Sequence, residues 1–268
     1  DALGMPYEFK DASEINYEPV MKAGGPFNLP KGCWTDDTSM MLCLANSLIS
    51  KQGFDAQDQL LKYYRWYSEG YNSAIKRCFD IGNQTELALN LFNCDINQTT
   101  AKFETHSAGN GALMRINPIP LVYSTVGSIL KYSELSTITT HNNDKCVEAS
   151  FIYTGIINLA LNGIDKHVIQ NSFPVTLTNY DVDGYVYGSM TAALDSFYKT
   201  NSFEECMEFV IKLGGDTDTN ACIAGMLAGA YYGFNSIPQE WVNDLINLQS
   251  LKNTCEQLYQ LRLSLCQE

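Results

Sequence analysis

Apolar residues recur along most of this chain at intervals of three and four positions, which is the spacing of one face of an α-helix. Met40, Met41, Leu44 and Leu48 give a clear example. Clusters of glycine, proline and asparagine separate such stretches. We predict helices over 37–50, 55–68, 84–93, 111–125, 145–162, 188–199, 203–213, 219–232, 239–248 and 250–265. Segment 174–178 is the one candidate for a short strand, so the expected fold class is all-α.

Composition narrows the class of protein. The 268 residues show no linker, and we therefore predict one domain over 1–268. No apolar run is long enough to cross a bilayer and no secretion signal opens the chain, so we expect a cytoplasmic protein without a membrane partner. A net charge of −13 argues against nucleic acid. The expected oligomeric state is a monomer.

The nine cysteines are an odd number and lack the paired spacing of a metal site. Most have apolar neighbours in the sequence, which is typical of buried free thiols in a reducing compartment. With three histidines in the chain and none beside a cysteine as an evident partner, a catalytic thiol is not expected.

Two acidic clusters, Thr35-Asp36-Asp37-Thr38 and Asp216-Thr217-Asp218-Thr219, each open a predicted helix. Burying four carboxylates requires positive charge or protons, because an unpaired buried carboxylate costs several kcal/mol. Two divalent cations would supply that charge. Carboxylate and hydroxyl oxygens suit Mg²⁺, Mn²⁺ or Ca²⁺ better than Zn²⁺ or Cu²⁺.

The alternative for each cluster is an ordinary acidic helix cap, which would be the better interpretation of one cluster alone. The same layout in both favours a metal site. A calcium loop of the EF-hand kind fits 216–227 poorly, because Ala221 stands where glycine and Leu227 where glutamate is required.

A glycine-rich segment, Ser107-Ala108-Gly109-Asn110-Gly111-Ala112, precedes a predicted helix. Glycines at such a position leave backbone amides open to an anion, which makes Gly109, Asn110 and Gly111 candidate ligand-binding residues. Asn-Gly is also a common turn or helix cap, so this motif alone does not decide between the two.

Three further residues are candidates with a structural alternative each. Asp80 lies between apolar residues and a glycine, a position where a carboxylate is often only a cap or an ion pair with Arg77. His141 precedes a predicted helix, and a lone histidine is more often a structural hydrogen-bonding residue than a catalyst. Tyr185 lies in a glycine-bounded loop and could stack on a base, or could cover the edge of the core.

Taken together, the motifs resemble those of the ADP-ribosylglycohydrolase family. The matching segments are 1–9, 32–38, 110–115 and 214–219. The resemblance implies an orthogonal all-helical fold with a dinuclear Mg²⁺ or Mn²⁺ site at helix N-termini. It implies as metal ligands Thr35, Asp36, Asp37, Asp216, Asp218 and Thr219. Members normally have a helix before the position of Asp1.

Segment Trp66–Asn83 is similar to the bacterial branch that includes dinitrogenase reductase-activating glycohydrolase, which removes ADP-ribose from arginine. By that resemblance Asp80 is catalytic. Glu8 matches a glutamate that has the key role in the serine-directed branch. Because both are present, the linkage that is cleaved stays open between arginine, serine and O-acetyl.

The resemblance therefore implies metal-dependent hydrolysis of the N-glycosidic bond between ADP-ribose and a modified protein side chain, with arginine favoured. The turn of Gly109–Gly111 would hold the diphosphate, and Tyr185 and His141 would contact the adenosine side of the ligand or the residues that surround the site. Two other classes are compatible with the chain. One is a catalytically silent ADP-ribose-binding relative, and the other is a dinuclear hydrolase of phosphate esters.

Overall fold

The structure, a computed structural model, describes residues 1–101, 108–175 and 182–266. Its α-helices are α1 (Asp36–Lys51), α2 (Ala56–Glu69), α3 (Asn83–Cys94), α4 (Pro118–Val122), α5 (Val126–Thr137), α6 (Asp144–Leu161), α7 (Lys166–Ser172), α8 (Val186–Lys199), α9 (Phe203–Ile211), α10 (Thr217–Tyr232), α11 (Gln239–Asp244) and α12 (Leu248–Leu265). Two short strands are β1 (Lys10–Asp11) and β2 (Gly214–Gly215), and 3₁₀ helices cover Met5–Tyr7, Ala12–Glu14, Asn110–Ala112 and Phe234–Ser236. The all-α prediction is confirmed. Within the described ranges, every helix is too short or too polar to cross a membrane.

The chain divides into two compact units, and the first comprises Asp1–Trp34 and Ile156–Ile246. Its central helix is α10, which packs against α8 and α9. Ala224 and Ala228 on α10 are fully buried, and their small side chains let the neighbouring helices approach closely. The strands β1 and β2 pair antiparallel with Lys10 opposite Gly215, so the opening segment lies beside the start of α10.

The second unit comprises Thr35–Gly155 and Asn247–Glu268. In it α1 packs against α2 and α12, and α12 also packs against α4. The core side chains include Leu48 and Trp66, both fully buried. Arg262 on α12 donates from Nη1 to the carbonyl oxygen of Pro120 at 3.0 Å, which attaches α12 to α4. The helix α6 belongs to this unit as far as Gly155 and to the first unit from Ile156.

Most predicted helices match the structure to within a few residues, but the helix over 111–125 is wrong. A 3₁₀ turn ends at Ala112 there, and a separate short helix starts at Pro118. Pro118 and Pro120 have no amide hydrogen for a continuous ladder, which explains the break. The predicted helix over 239–248 ends at Asp244.

Two helices and the strand pair were not predicted from the sequence. The helix α5 begins after Thr125, whose hydroxyl accepts a hydrogen bond from the amide of Ser128 at 3.2 Å, and α7 has only seven residues. The strands have two residues each, too few for an alternating pattern. Of the strand predicted over 174–178, positions 174 and 175 are not in a strand and the rest lies outside the described residues.

Candidate active site

The acidic start of α1 lies in the second unit and is buried. Thr35 is the residue before the first turn, and Asp36 and Asp37 are in it. Asp36 is 8% exposed and Asp37 is fully buried. The hydroxyl of Thr35 donates to Oδ2 of Asp37 at 3.1 Å, so the cluster is ordered by contacts over two residues. The positive end of the helix dipole favours negative charge at this place.

The acidic start of α10 lies in the first unit. Asp216 precedes the helix, and Asp218 and Thr219 are in its first turn, 1% and 5% exposed. The hydroxyl of Thr217 donates to the carbonyl oxygen of Gly4 at 2.9 Å. A Cβ atom at Gly4 would lie 2.3 Å from the carbonyl oxygen of Thr217, so position 4 must be glycine for this approach.

The contact between Gly4 and Thr217 places Glu8 near Asp218. The two side chains have carboxylate oxygens within 4.8 Å of each other, and Glu8 is 5% exposed. Two like unit charges at such a distance repel by roughly 3 kcal/mol at an effective dielectric constant of about 20. Hydrogen-bond donors, a proton or a cation at this place would relieve that repulsion. Buried hard oxygen donors in this arrangement fit Mg²⁺ or Mn²⁺.

A pocket of about 350 Å³ opens next to Asp216 in the same unit. Its lining comprises Phe9, Lys10, Asp11, Ala12, Val182, Asp183, Leu213, Gly215 and Asp216. Phe9 has a left-handed backbone with φ of 61° and a side chain that is 67% exposed. Its amide donates to the carbonyl oxygen of Gly215 at 2.8 Å, which holds the residue in this conformation. The sequence analysis did not predict this pocket.

Tyr185 also belongs to the first unit, where it is the half-buried residue before α8. Its ring meets that of Tyr187 edge to face, with centroids 5.8 Å apart. A Cβ atom added at the preceding Gly184 would lie 4.0 Å from Oδ2 of Asp216. The loop of Tyr185 therefore lies close to the start of α10. An aromatic ring in this loop is available for stacking on a flat ligand.

Asp80 lies in the second unit, on the loop between α2 and α3, and is half-buried. Its φ of 59° is in the left-handed region, which is uncommon for a residue other than glycine. Aspartate is among the residue types that adopt this region most readily. Burial, followed by Glu86 and Asp80, raises the pKa of the neighbouring Cys78 thiol to about 11.

The structure joins two candidates that are distant in the sequence, the Gly109–Gly111 turn and His141. A Cβ atom at Gly111 would lie 3.1 Å from Nε2 of His141 and 3.6 Å from the hydroxyl of Thr85. Burial, with the charge of Arg115 as the second cause, lowers the pKa of His141 to about 3. The ring is therefore neutral at physiological pH. Ser107, at the start of the predicted motif, lies outside the described residues.

The sequence analysis assigned no role to Arg115, yet this residue is fully buried. Its guanidinium lies over the ring of Tyr63 at 4.6 Å and donates from Nη2 to the hydroxyl of Thr140 at 2.7 Å. The signal in the sequence that could have identified Arg115 is its position directly after two apolar residues, Leu113 and Met114, which are both buried. Fully buried arginine is rare without such partners.

The structure also bears on the cysteines, all nine of which are free thiols. Burial raises the pKa of Cys43, Cys146 and Cys206 to about 12. These three groups therefore stay protonated near neutral pH and are poor nucleophiles. Cys94, Cys255 and Cys266 are exposed, so the prediction of buried thiols does not hold for them.

Comparison with known proteins agrees with the geometry. The family model of the ADP-ribosylglycohydrolases matches residues 1–267. ADP-ribosylarginine hydrolase Tri1 of Pseudomonas putida (strain GB-1) is 34% identical over 280 residues, covering 97% of this chain and 74% of the relative. ADP-ribosyl-[dinitrogen reductase] glycohydrolase of Rhodospirillum rubrum is 29% identical over 262 residues, covering 91% and 86%.

A solved structure gives the same assignment. A chain of an ADP-ribosylglycohydrolase-related protein complex superposes with a TM-score of 0.85 at 32% identity, covering 98% of this chain and 93% of the other. The residues that the family model matches include both units and the acidic and glycine motifs described above. The chain belongs to the ADP-ribosylglycohydrolase family of hydrolytic enzymes.

Proposed function

We propose that this enzyme hydrolyses the N-glycosidic bond between ADP-ribose and a modified arginine side chain of a protein, and so reverses mono-ADP-ribosylation. The observation that carries the proposal is the buried carboxylate pair Glu8 and Asp218, within 4.8 Å of each other, at the start of α10. The 34% identity to an ADP-ribosylarginine hydrolase supports arginine as the modified residue.

We further propose that the enzyme needs two divalent cations, Mg²⁺ or Mn²⁺. Thr35, Asp36 and Asp37 in one helix start, and Asp216, Asp218 and Thr219 in the other, are the residues that would hold them. When bound, such ions supply Lewis acidity and positive charge for ribose hydroxyls and water. The oxygen-only donor set and its burial support this assignment.

The acid–base work falls to Asp80 in this proposal. Its carboxylate, on a half-buried loop, would take a proton from the attacking water or act on the ribose as the glycosidic bond breaks. Glu8 serves the same reaction as a fixed negative charge, which stabilises the positive charge that develops at the anomeric carbon. Neither role requires a covalent intermediate with the protein.

The turn of Gly109–Gly111 is proposed to receive the diphosphate. Thr85, in the first turn of α3, lies beside Gly111, so the positive end of that helix dipole adds to the attraction of an anion. Tyr185 is proposed to stack on the adenine. Local attraction matters because the whole chain carries a net charge of −13 and repels anions at long range.

Hydrolysis of a serine-linked or O-acetyl-linked ADP-ribose is the second candidate. The observation that favours it is Glu8, which is buried beside Asp218 and matches the key glutamate of the serine-directed branch. The two candidates differ in the atom that leaves, which is a guanidino nitrogen in the first and an oxygen of serine or of the acetyl ester in the second.

A substrate panel tests the proposal. Peptides that carry ADP-ribose on arginine or on serine, together with O-acetyl-ADP-ribose, are incubated with the full chain in Mg²⁺, Mn²⁺ or chelator. Mass spectrometry identifies the products. We expect free ADP-ribose with an intact diphosphate, released fastest from arginine and dependent on metal.

Three results contradict parts of the proposal. Release of phosphate or AMP indicates a phosphate-ester hydrolase, and faster release from serine moves the activity to the second candidate. Binding of ADP-ribose in a calorimeter without turnover of any substrate indicates a silent binding protein. Full activity in excess chelator removes the metal from the mechanism.

A further inference from the structure

Phe9 has a backbone conformation that a bulky side chain disfavours. Its φ of 61° lies in the left-handed region, where a large residue is a genuine outlier. The pairing of Lys10 with Gly215 and the hydrogen bond from the amide of Phe9 to the carbonyl oxygen of Gly215 hold the backbone there. Glycine or asparagine would adopt the same conformation with less strain. The backbone therefore does not account for a phenylalanine at position 9.

Packing does not account for the ring of Phe9 either. Tyr7 and Glu8, which precede it, are buried, whereas Phe9 is exposed at the rim of the pocket of about 350 Å³. Val182 also lines this pocket, so the ring adds to an apolar wall that is open on one side. An aromatic residue that is both strained and exposed at a pocket indicates contact with another molecule.

The charge around this pocket is mainly negative. Asp11, Asp183 and Asp216 line it, and Lys10 is the basic residue among the described residues of the lining. Even with a cation bound at Asp216, two carboxylates and one ammonium group are present. Asp11 and Asp183 are exposed, so a positively charged group can approach them from solvent. Charge complementarity therefore favours a cationic partner at the pocket.

The pocket lies beside residues that are proposed to act on the ribose. Asp216 belongs both to its lining and to the acidic start of α10, and Glu8 directly precedes Phe9. The proposed substrate is a modified side chain of another protein, so the residues next to the modified one enter together with it. A basic side chain among them would meet an aromatic face and carboxylates at this place.

We propose that Phe9, Asp11 and Asp183 form a subsite for a lysine or arginine side chain next to the ADP-ribosylated residue of the target protein. The identity of the substrate in this inference rests on the proposed function. The ring of Phe9 offers its face to the cation, and the two carboxylates accept charge-assisted hydrogen bonds from it. The subsite selects among target sequences and takes no part in the bond cleavage.

Two peptides test the subsite with the full chain. Both carry an ADP-ribosylated arginine, which is flanked by lysines in one peptide and by glutamates in the other. We expect kcat/KM to be roughly tenfold higher for the lysine peptide, mainly through KM, because attraction in one and repulsion in the other each contribute a few-fold. Equal values for the two peptides overturn the inference.

Matched charge variants separate the pocket from the charge of the whole chain. A net charge of −13 attracts cationic peptides in general. Asp11→Lys and Glu240→Lys change that charge equally, but Glu240 is exposed on α11 and does not line the pocket. We expect the preference for the lysine peptide to vanish or reverse in Asp11→Lys, and to stay within about twofold of the wild type in Glu240→Lys. Equal losses in both variants contradict a local subsite.

Asp183→Asn tests the second carboxylate. We expect it to lower the ratio of the two kcat/KM values roughly threefold, because one of two exposed charges is lost. An unchanged ratio removes Asp183 from the subsite. Because the ratio compares two peptides on the same enzyme, it does not depend on the fraction of the variant that folds.

The ring is tested by Phe9→Asn and Phe9→Tyr. Tyrosine keeps an aromatic face, whereas asparagine adopts the left-handed backbone readily but has no ring. We expect the ratio to fall roughly threefold in Phe9→Asn and to stay near the wild-type value in Phe9→Tyr. Relief of strain should keep the Tm of Phe9→Asn at or above that of the wild type. A lower Tm with an unchanged ratio would show that the ring serves folding, and would overturn its role in the subsite.

Failure of the proposed function gives a different result from failure of the subsite. A wild-type protein that cleaves neither peptide refutes the proposed function. The Kd values of the two fluorescein-labelled peptides, measured by fluorescence anisotropy, then decide the subsite by the same ratio.

Discussion

The starts of α1 and α10 carry nearly the same acidic motif, yet they are built in different ways. At α1, Thr35 donates to Asp37, so contacts within a few residues order the cluster. At α10, the ordering contacts come from the opening segment, where Gly4 accepts from Thr217 and Glu8 approaches Asp218. More than 200 residues separate these partners. Packing between distant segments therefore contributes to the order of the α10 cluster, and a contact within one turn contributes to that of the α1 cluster.

The largest expected effect comes from neutralising either cluster. Asp36→Asn and Asp218→Asn keep the side-chain shape and remove one charge each. We expect each to lower kcat/KM for an ADP-ribosylarginine peptide on the order of 10³-fold, because the charge that holds cations is lost. Steady-state kinetics in saturating Mg²⁺ or Mn²⁺ measure this.

Two exposed acids in the first turn of other helices are matched controls for that experiment. Asp144 begins α6 and Glu204 lies in the first turn of α9, both at the surface. Asp144→Asn and Glu204→Gln should retain nearly full activity. If all four variants retain activity, the acidic helix starts are ordinary caps.

A smaller effect is expected on stability through metal binding. Ions that bind only the folded protein stabilise it by about 2.7 kcal/mol at a hundred times their Kd. We expect added Mn²⁺ or Mg²⁺ to raise Tm in the wild type and to have little effect on Asp36→Asn or Asp218→Asn. Scanning calorimetry measures the shift, and a titration gives the number of ions.

The double variant sharpens the comparison between the two clusters. If both clusters bind the same ions, the double variant Asp36→Asn, Asp218→Asn should lose no more of the metal-induced rise in Tm than either single variant does. Additive losses indicate that each cluster binds an ion independently. An unchanged Tm of the wild type at every metal concentration counts against cations altogether.

Because the opening segment contacts the start of α10, we expect Gly4→Ala to disturb the α10 cluster selectively. The new Cβ would lie 2.3 Å from the carbonyl oxygen of Thr217, so the opening segment must move. We expect a loss of about 1–3 kcal/mol in the free energy of unfolding, as for other overpacked sites, with reduced activity. Urea unfolding and kinetics measure the two effects.

Gly127→Ala is the control for that variant. Gly127 lies in α5, where an added Cβ meets no heavy atom within 4 Å, and alanine there should be neutral or stabilising by up to about 1 kcal/mol. If Gly4→Ala is as stable and active as Gly127→Ala, the opening segment is not locked to α10.

A pH dependence of stability is expected from a residue of the second unit. Burial lowers the pKa of His141 from 6.5 in its ordinary state to about 3 in the folded protein. The unfolded chain therefore binds the proton first as pH falls, and the free energy of unfolding decreases between pH 6.5 and 3. The slope from one such group is at most about 1.4 kcal/mol per pH unit.

His141→Gln removes this contribution. Urea unfolding across that pH range should give a shallower acid dependence in the variant than in the wild type. Parallel curves for the two proteins would show that His141 takes up its proton normally in the folded state.

Local sequence was sufficient to predict the features that depend on neighbouring residues. The apolar periodicity after Asp37 identified α1, and the same argument identified α6, α8 and α12. It failed over 111–125, where Pro118 and Pro120 divide the segment, and over α5, whose start depends on the Thr125 cap. The convergence of the α1 and α10 clusters on one pair of ions stays a prediction.

The tertiary structure alone decided which distant residues meet. It placed Glu8 beside Asp218, Lys10 opposite Gly215 and His141 against Gly111, and it buried Arg115 under Thr140. Helical periodicity and capping act over three or four residues, so the local sequence specifies them independently of the tertiary structure. Contacts between distant segments depend on which faces pack together, and no local pattern encodes that choice.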